Sequence, residues 1–165
     1  SVFINLRTPR HYFYLDIAVI KESVPDKFTD ERRHGKGVRW FEKKKIVDEG
    51  VNKDLNALGK RMVEQVIQSD FLYILETKKA IKRGHFSEAF SSYYTFLSRY
   101  LAVVLNLAYR PEKVDFGLRY AYRDYPKKDF DLITNALKVS DIDALKEMFE
   151  IVLTRYETLK NEIAI

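Results

Sequence analysis

Residues 12–20 run Tyr-Phe-Tyr-Leu-Asp-Ile-Ala-Val-Ile, aromatic and β-branched with no helical period, and predict a β-strand. Alternation places Phe13, Leu15, Ile17 and Val19 on one face and Tyr12, Tyr14, Asp16, Ala18 and Ile20 on the other. Residues 2–6 are the segment expected to pair with it. Residues 21–36, with Pro25 and Gly35, read as an exposed loop, with or without a short helix. Residues 38–47 open with Val38-Arg39-Trp40-Phe41 and fit either a second strand or a helix starting close to Arg39.

From Asn52 the apolar positions change period. Leu55, Leu58, Met62, Val66, Leu72 and Leu75 fall on helical spacing, predicting one or two amphipathic helices to about Lys82. Arg83-Gly84-His85 reads as a helix stop. Ser87 then reads as an N-cap, with Phe86 before it as a hydrophobic staple. The helix it opens carries Phe90, Tyr94, Leu97, Leu101, Val104 and Leu105 and must end before Pro111. Residues 115–122 form a shorter helical piece, and Pro126 starts another reaching Val139. Ser140 with Asp143 resembles a capping box opening a last helix through Ile151 and Leu159. The expected fold is therefore mainly α, a four- to five-helix bundle over residues 52–165 behind a small N-terminal strand or hairpin portion, residues 1–51.

Composition narrows the classes. Of 165 residues, 46% are hydrophobic and 32% charged, which excludes a disordered chain, and no apolar run approaches the roughly 20 residues a membrane helix needs. No tripartite secretory start is evident, so a cytoplasmic protein is expected. Cysteine is absent, which removes disulfides and thiolate metal sites. The net charge of +5 favours anionic partners, nucleotides or RNA among them. Charge-rich, cysteine-free usage is also common in thermophile proteins.

Asp16 is the residue whose position asks most. A carboxylate amid an apolar strand needs a cation, a metal or a wet face; it is either a metal ligand on a sheet opening into a site or a residue on a solvated face. Asp129-Phe130-Asp131 and Asp141-Ile142-Asp143 have the spacing of paired metal carboxylates, yet both sit where helices begin, so the helix dipole accounts for them. His11, His34 and His85 are too scattered to form a ligand set. Residues 93–125 are dense in tyrosine and cations. From this cluster Tyr94, Arg99, Tyr109, Arg110, Lys113, Arg119 and Tyr122 are the candidate lining of an anion-binding groove, because arginine grips phosphate and tyrosine stacks on a base. The alternative is a core whose tyrosines show only their hydroxyls to water.

In layout the chain resembles the rear portion of nucleotidyltransferases of the DNA polymerase β type, a superfamily that includes the antibiotic nucleotidyltransferases. Tyr14-Leu15-Asp16-Ile17-Ala18-Val19 is similar to the strand carrying that family's third metal carboxylate, and Trp40-Phe41 with Ile46-Val47-Asp48-Glu49-Gly50 resembles the strand and acidic loop that follow. Ala80-Ile81-Lys82-Arg83-Gly84-His85-Phe86-Ser87-Glu88-Ala89 and Leu105-Asn106-Leu107-Ala108-Tyr109-Arg110-Pro111-Glu112-Lys113 resemble the helices and Arg-rich turn of its substrate domain. The resemblance implies Asp16 as a catalytic, Mg²⁺-binding carboxylate and a helical half that binds an anionic or nucleotide-bearing substrate. The family's Gly-Ser turn and first two carboxylates have no counterpart before Asp16, so the chain is either a fragment of a longer enzyme, a degenerate member that only binds, or not a member, and alone it is expected to have no transfer activity. The alternative is a non-enzymatic helical binding module for RNA or a protein partner, in one version a homodimer.

Overall fold

The computed structural model describes residues 2–8, 11–17, 19–21, 23, 30–38, 40–41 and 55–163, with backbone alone at 2–8, 11–16, 55–58 and 67. The chain divides into two compact units, Ser1–Lys53 and Asp54–Ile165.

In the first unit, β1 (Val2–Thr8) and β2 (His11–Ile17) form an antiparallel pair in which Val2 faces Ile17, Phe3 faces Asp16 and Thr8 faces His11. The strand ends earlier than its sequence pattern predicts. β1 opens at Val2, opposite Ile17, so the ladder gives Val19 and Ile20 no partner, and Val19 is exposed. A short helix, α1 (Glu31–His34), follows, capped by Asp30, whose carboxylate accepts from the Arg32 amide at 3.0 Å. Val38, Trp40 and Phe41 belong to no regular element and are exposed. Residues 42–47 of the expected second strand or helix, and the 46–50 acidic loop, lie outside the described residues.

The second unit is a helical bundle, as the sequence periodicity predicts. Its first rod, α2 (Leu55–Lys82), stops where Gly84 turns to φ +70°: the His85 amide donates to Ala80 O at 3.0 Å and that of Gly84 to Ile81 O at 2.9 Å. This 6→1 and 5→2 pairing is a Schellman stop, which favours glycine at the left-handed position. The second rod runs through α3 (Phe86–Thr95), a π-helical turn (Phe96–Leu101) and α4 (Ala102–Tyr109). Its N-cap is His85 and not Ser87. His85 leaves the Schellman turn with its carbonyl already accepting from the Ala89 amide, so the helix begins two residues sooner.

Beyond Pro111 the chain forms a 3₁₀ segment (Pro111–Phe116), then α5 (Ala121–Asp124), α6 (Lys127–Ala136) and α7 (Ile142–Glu162). The continuous helical piece predicted over 115–122 is broken by positive φ at Gly117 and Tyr120, and α6 stops short of Val139. Asp141, not Ser140, caps α7. Its carboxylate accepts from the Ala144 amide at 2.9 Å, and the Ser140 hydroxyl donates to its other oxygen at 2.8 Å, so Ser140 holds the cap in place.

The core lies between the second rod and α7. Phe149 meets Tyr93 and Phe96 edge-on, with centroids 6.0 and 5.7 Å apart, and Phe96 meets Tyr156 at 4.9 Å, the geometry that ring quadrupoles favour. Burial raises the pKa of both the Tyr93 and Tyr156 hydroxyls, keeping them neutral donors. They bond to Ala136 O and Asp70 Oδ2, each at 2.8 Å. Asp70 also receives Lys160 at 2.9 Å, which ties α2 to α7.

Candidate anion-binding face and cleft

The cationic part of the sequence folds around one buried arginine. Asn106 is a polar residue in the apolar α4 and is fully buried, so its amide must find partners. Its Nδ2 donates to Val114 O at 3.2 Å and Gly117 O at 3.1 Å, while its Oδ1 accepts from Arg110 Nε at 2.6 Å and from the Tyr125 hydroxyl at 2.5 Å. Arg110, only 3% exposed, donates onward to Arg119 O at 2.6 Å, Gly117 O at 2.8 Å and Asp124 Oδ2 at 3.0 Å, and its guanidinium lies over the Tyr125 ring. Burial pushes the Tyr125 hydroxyl up to about 12. Arg110 and Asn106 together clamp the backbone of residues 114–119.

Asp124 collects three cations. Arg123 Nε lies 2.7 Å from one oxygen, and Lys113 Nζ at 2.9 Å and Arg110 Nη1 at 3.0 Å lie on the other. These partners, Arg123 foremost, hold its carboxyl well below the usual range against the opposing cost of burial. One negative charge thus faces three positive ones. On the clamped turn beside it, the Arg119 guanidinium lies over the Phe116 and Tyr120 rings and that of Arg123 over Tyr120, while Tyr122 stands 69% exposed. Tyr120 sits at φ 63°, ψ 13°, a left-handed conformation unfavourable for an aromatic residue and characteristic of functional turns.

The candidate groove therefore resolves into different roles. Arg110 is buried and Lys113 nearly so, and both are spent on Asp124. Tyr109 donates its hydroxyl to Asp129 Oδ2 at 2.7 Å, inside a second ion-pair cluster in which Arg155 Nε reaches Asp129 Oδ1 at 2.7 Å. Burial opposes the Asp129 charge, but its bonds to Arg155 and Tyr109 outweigh that and lower its pKa. Asp129 is thus a buried ion-pair partner, while Asp131 pairs with Lys127 on the surface and Asp141 caps α7. Arg119 and Tyr122 reach solvent on the 117–123 turn, Tyr94 is half-exposed on α3 stacked against Phe90, and Arg99 stands apart on the π turn. Asp16 is placed on β2; its side chain lies outside the described residues.

A cleft of about 680 Å³ opens between α2, the π turn and the 3₁₀ segment. Its floor is apolar, formed by Met62, Val66, Val103 and Val114. Gln65, Gln68 and Ser69 of α2 wall one side, Ser98, Arg99 and Tyr100 the other, with Asp115 and Gly117 at one end. Tyr100 and Ser69 are joined by a 2.9 Å hydroxyl bond across it.

Sequence reading does not single out Asp124, Asn106, Arg155 or this cleft. The feature that could have pointed to the network is Asn106, a lone amide in the apolar Leu105-Asn106-Leu107 run. Among the described residues, no three His, Asp or Glu side chains gather as a metal-holding group, and no helix is long and apolar enough to cross a membrane. Comparison with protein-family models, curated proteins and solved structures finds no match for this chain.

Proposed function

We propose that the helical unit recognises an anionic or nucleotide-bearing substrate on the face of the 117–125 turn, as the substrate-binding half of a nucleotidyltransferase-like protein acting in the cytoplasm. The carrying observation is the charge excess: three cations on Asp124, with Arg119 beside them on a turn whose backbone is fixed from within. A phosphate would balance that excess and take charge-assisted bonds from Arg119 and Arg123, and the exposed Tyr122 ring offers a stacking surface for a base. Because the turn is held by buried hydrogen bonds, little ordering cost is added on binding.

A second reading, single-stranded RNA, is favoured by the same exposed tyrosine, since base stacking tolerates any sequence. Titration with a fluorescent adenine nucleotide and with a labelled RNA 12-mer separates the two. The first reading expects the mononucleotide to bind, with Arg119→Ala and Tyr122→Ala each weakening it about tenfold, the loss of one charged or stacking contact. Binding of the oligomer alone, with affinity falling steeply with salt, would establish the second. Binding of neither probe by the folded chain refutes both.

A further inference from the structure

The cleft at the π turn is separate from the proposed substrate face in its cation and in its chemistry. Arg99 is exposed at its wall and makes no ion pair among the described residues, unlike Arg110, Lys113 and Arg123 on the other face. The hydroxyl pair in the wall is oriented. Ser69 has one proton, and it goes to Gln65 O at 2.7 Å. The 2.9 Å contact is therefore donated by Tyr100, which leaves the phenol oxygen able to accept from a ligand. The exposed amides of Gln65 and Gln68 add donors and acceptors above a floor of Met62, Val66 and Val103.

The local backbone is unusual at the same place. A π turn interrupts the rod at Phe96–Leu101, and single π turns inside α-helices cost stability and recur at functional sites. It carries Ser98, Arg99 and Tyr100 together into the cleft wall. An apolar floor with a few convergent polar groups and a volume of this order is the make-up of a small-molecule site.

We infer that this cleft binds a small organic anion, its apolar or heteroaromatic body on the Met62–Val66–Val103 floor and its acidic group on Arg99. The cleft meets the 117–125 face only at Gly117 and uses a different cation, so either assignment can fail alone.

Two probes of one shape test it: 8-anilinonaphthalene-1-sulfonate, and the neutral N-phenyl-1-naphthylamine, which lacks the sulfonate. Each is titrated by fluorescence against wild type, Arg99→Ala, Tyr100→Phe and Arg119→Ala, with ¹H–¹⁵N spectra locating the bound probe. The anion is expected to shift amides in residues 62–69 and 98–103 and to bind more tightly than the neutral probe. Arg99→Ala should weaken the anion roughly tenfold, the loss of one charge-assisted bond, and leave the neutral probe unchanged. Tyr100→Phe, which retains the ring, should keep the fold, with the anion's affinity changed by less than in Arg99→Ala. Shifts confined to other segments overturn the inference, and so does equal weakening by Arg119→Ala or affinity indifferent to Arg99. Lack of any probe binding by folded protein also overturns it.

Discussion

Replacing Arg110 by methionine separates a structural cation from a binding one. The change keeps most of the side chain's volume but removes its bonds to Asn106 Oδ1, Arg119 O, Gly117 O and Asp124 Oδ2. Removing one partner of a buried ion pair costs about 3–5 kcal/mol when the other charge is left alone. Here Asp124 keeps Lys113 and Arg123, and Gly117 O keeps the Asn106 amide, so the loss falls toward the lower end, about 3 kcal/mol. For a chain of this size that lowers the thermal midpoint by roughly 6–12 °C. Arg119→Met, on an exposed side chain, should stay within about 0.5 kcal/mol of wild type. Urea denaturation followed by circular dichroism, without ligand, measures both. If Arg110→Met unfolds at the wild-type midpoint, or Arg119→Met falls as far, the clamp described here is wrong.

Gly84→Ala should cost about 1–2 kcal/mol. The added Cβ would meet no atom within 4 Å, so the whole penalty is the left-handed backbone at φ +70°, and the same denaturation experiment reads it. Acid stability should depend on Asp129 and Asp124, whose folded pKa values are both lowered. A carboxyl of lowered pKa stabilises the fold above its unfolded value, about 3.9, and that contribution is lost as pH falls through the folded value. Wild type should therefore weaken below about pH 4. Asp129→Asn should be less stable at pH 7, because Arg155 loses its buried carboxylate and keeps only the more exposed Glu162 at 3.8 Å, and should show a shallower decline in acid. An equally steep acid limb in the variant would show that Asp129 does not carry the linkage.

The helical rods were legible because burial acts on spacing. Leu97, Leu101 and Val104 of the second rod lie against the core, as their period predicts. The same logic placed Tyr94 on that face, whereas Tyr93 is fully buried and Tyr94 half-exposed. The π turn at Phe96–Leu101 does not displace the stripe beyond it, since Val104 and Leu105 are fully buried; the misplaced residue, Tyr94, precedes the turn. Caps were misplaced by one or two residues. Ser87 and Ser140 are good caps in isolation, but the Schellman turn at Gly84 and the carboxylate of Asp141 reach the helix ends first. The tyrosine and cation cluster was visible as a cluster and opaque in its roles. Whether Arg110 binds a ligand or the protein depends on Asp124, fourteen residues on, and on carbonyls that converge only once the turn has formed.

That division of labour bears on why the cluster is so cationic. Arg110 alone would neutralise Asp124, and the buried network would then be complete with Asn106, Tyr125 and the two carbonyls. Lys113 and Arg123 reach the same carboxylate, so three positive charges meet one negative charge, and their hydrogen bonds help hold the Asp124 pKa low. Arg119 is brought to the same turn with its guanidinium packed on aromatic rings and no carboxylate paired to it among the described residues. Of the three cations on Asp124, only Arg123 is exposed, and a surface ion pair of that kind adds little to stability. An external anion on this turn, strained at Tyr120 and pinned by a buried arginine, would balance that charge, and the charge on Arg119 is where the proposal is most directly put to the test.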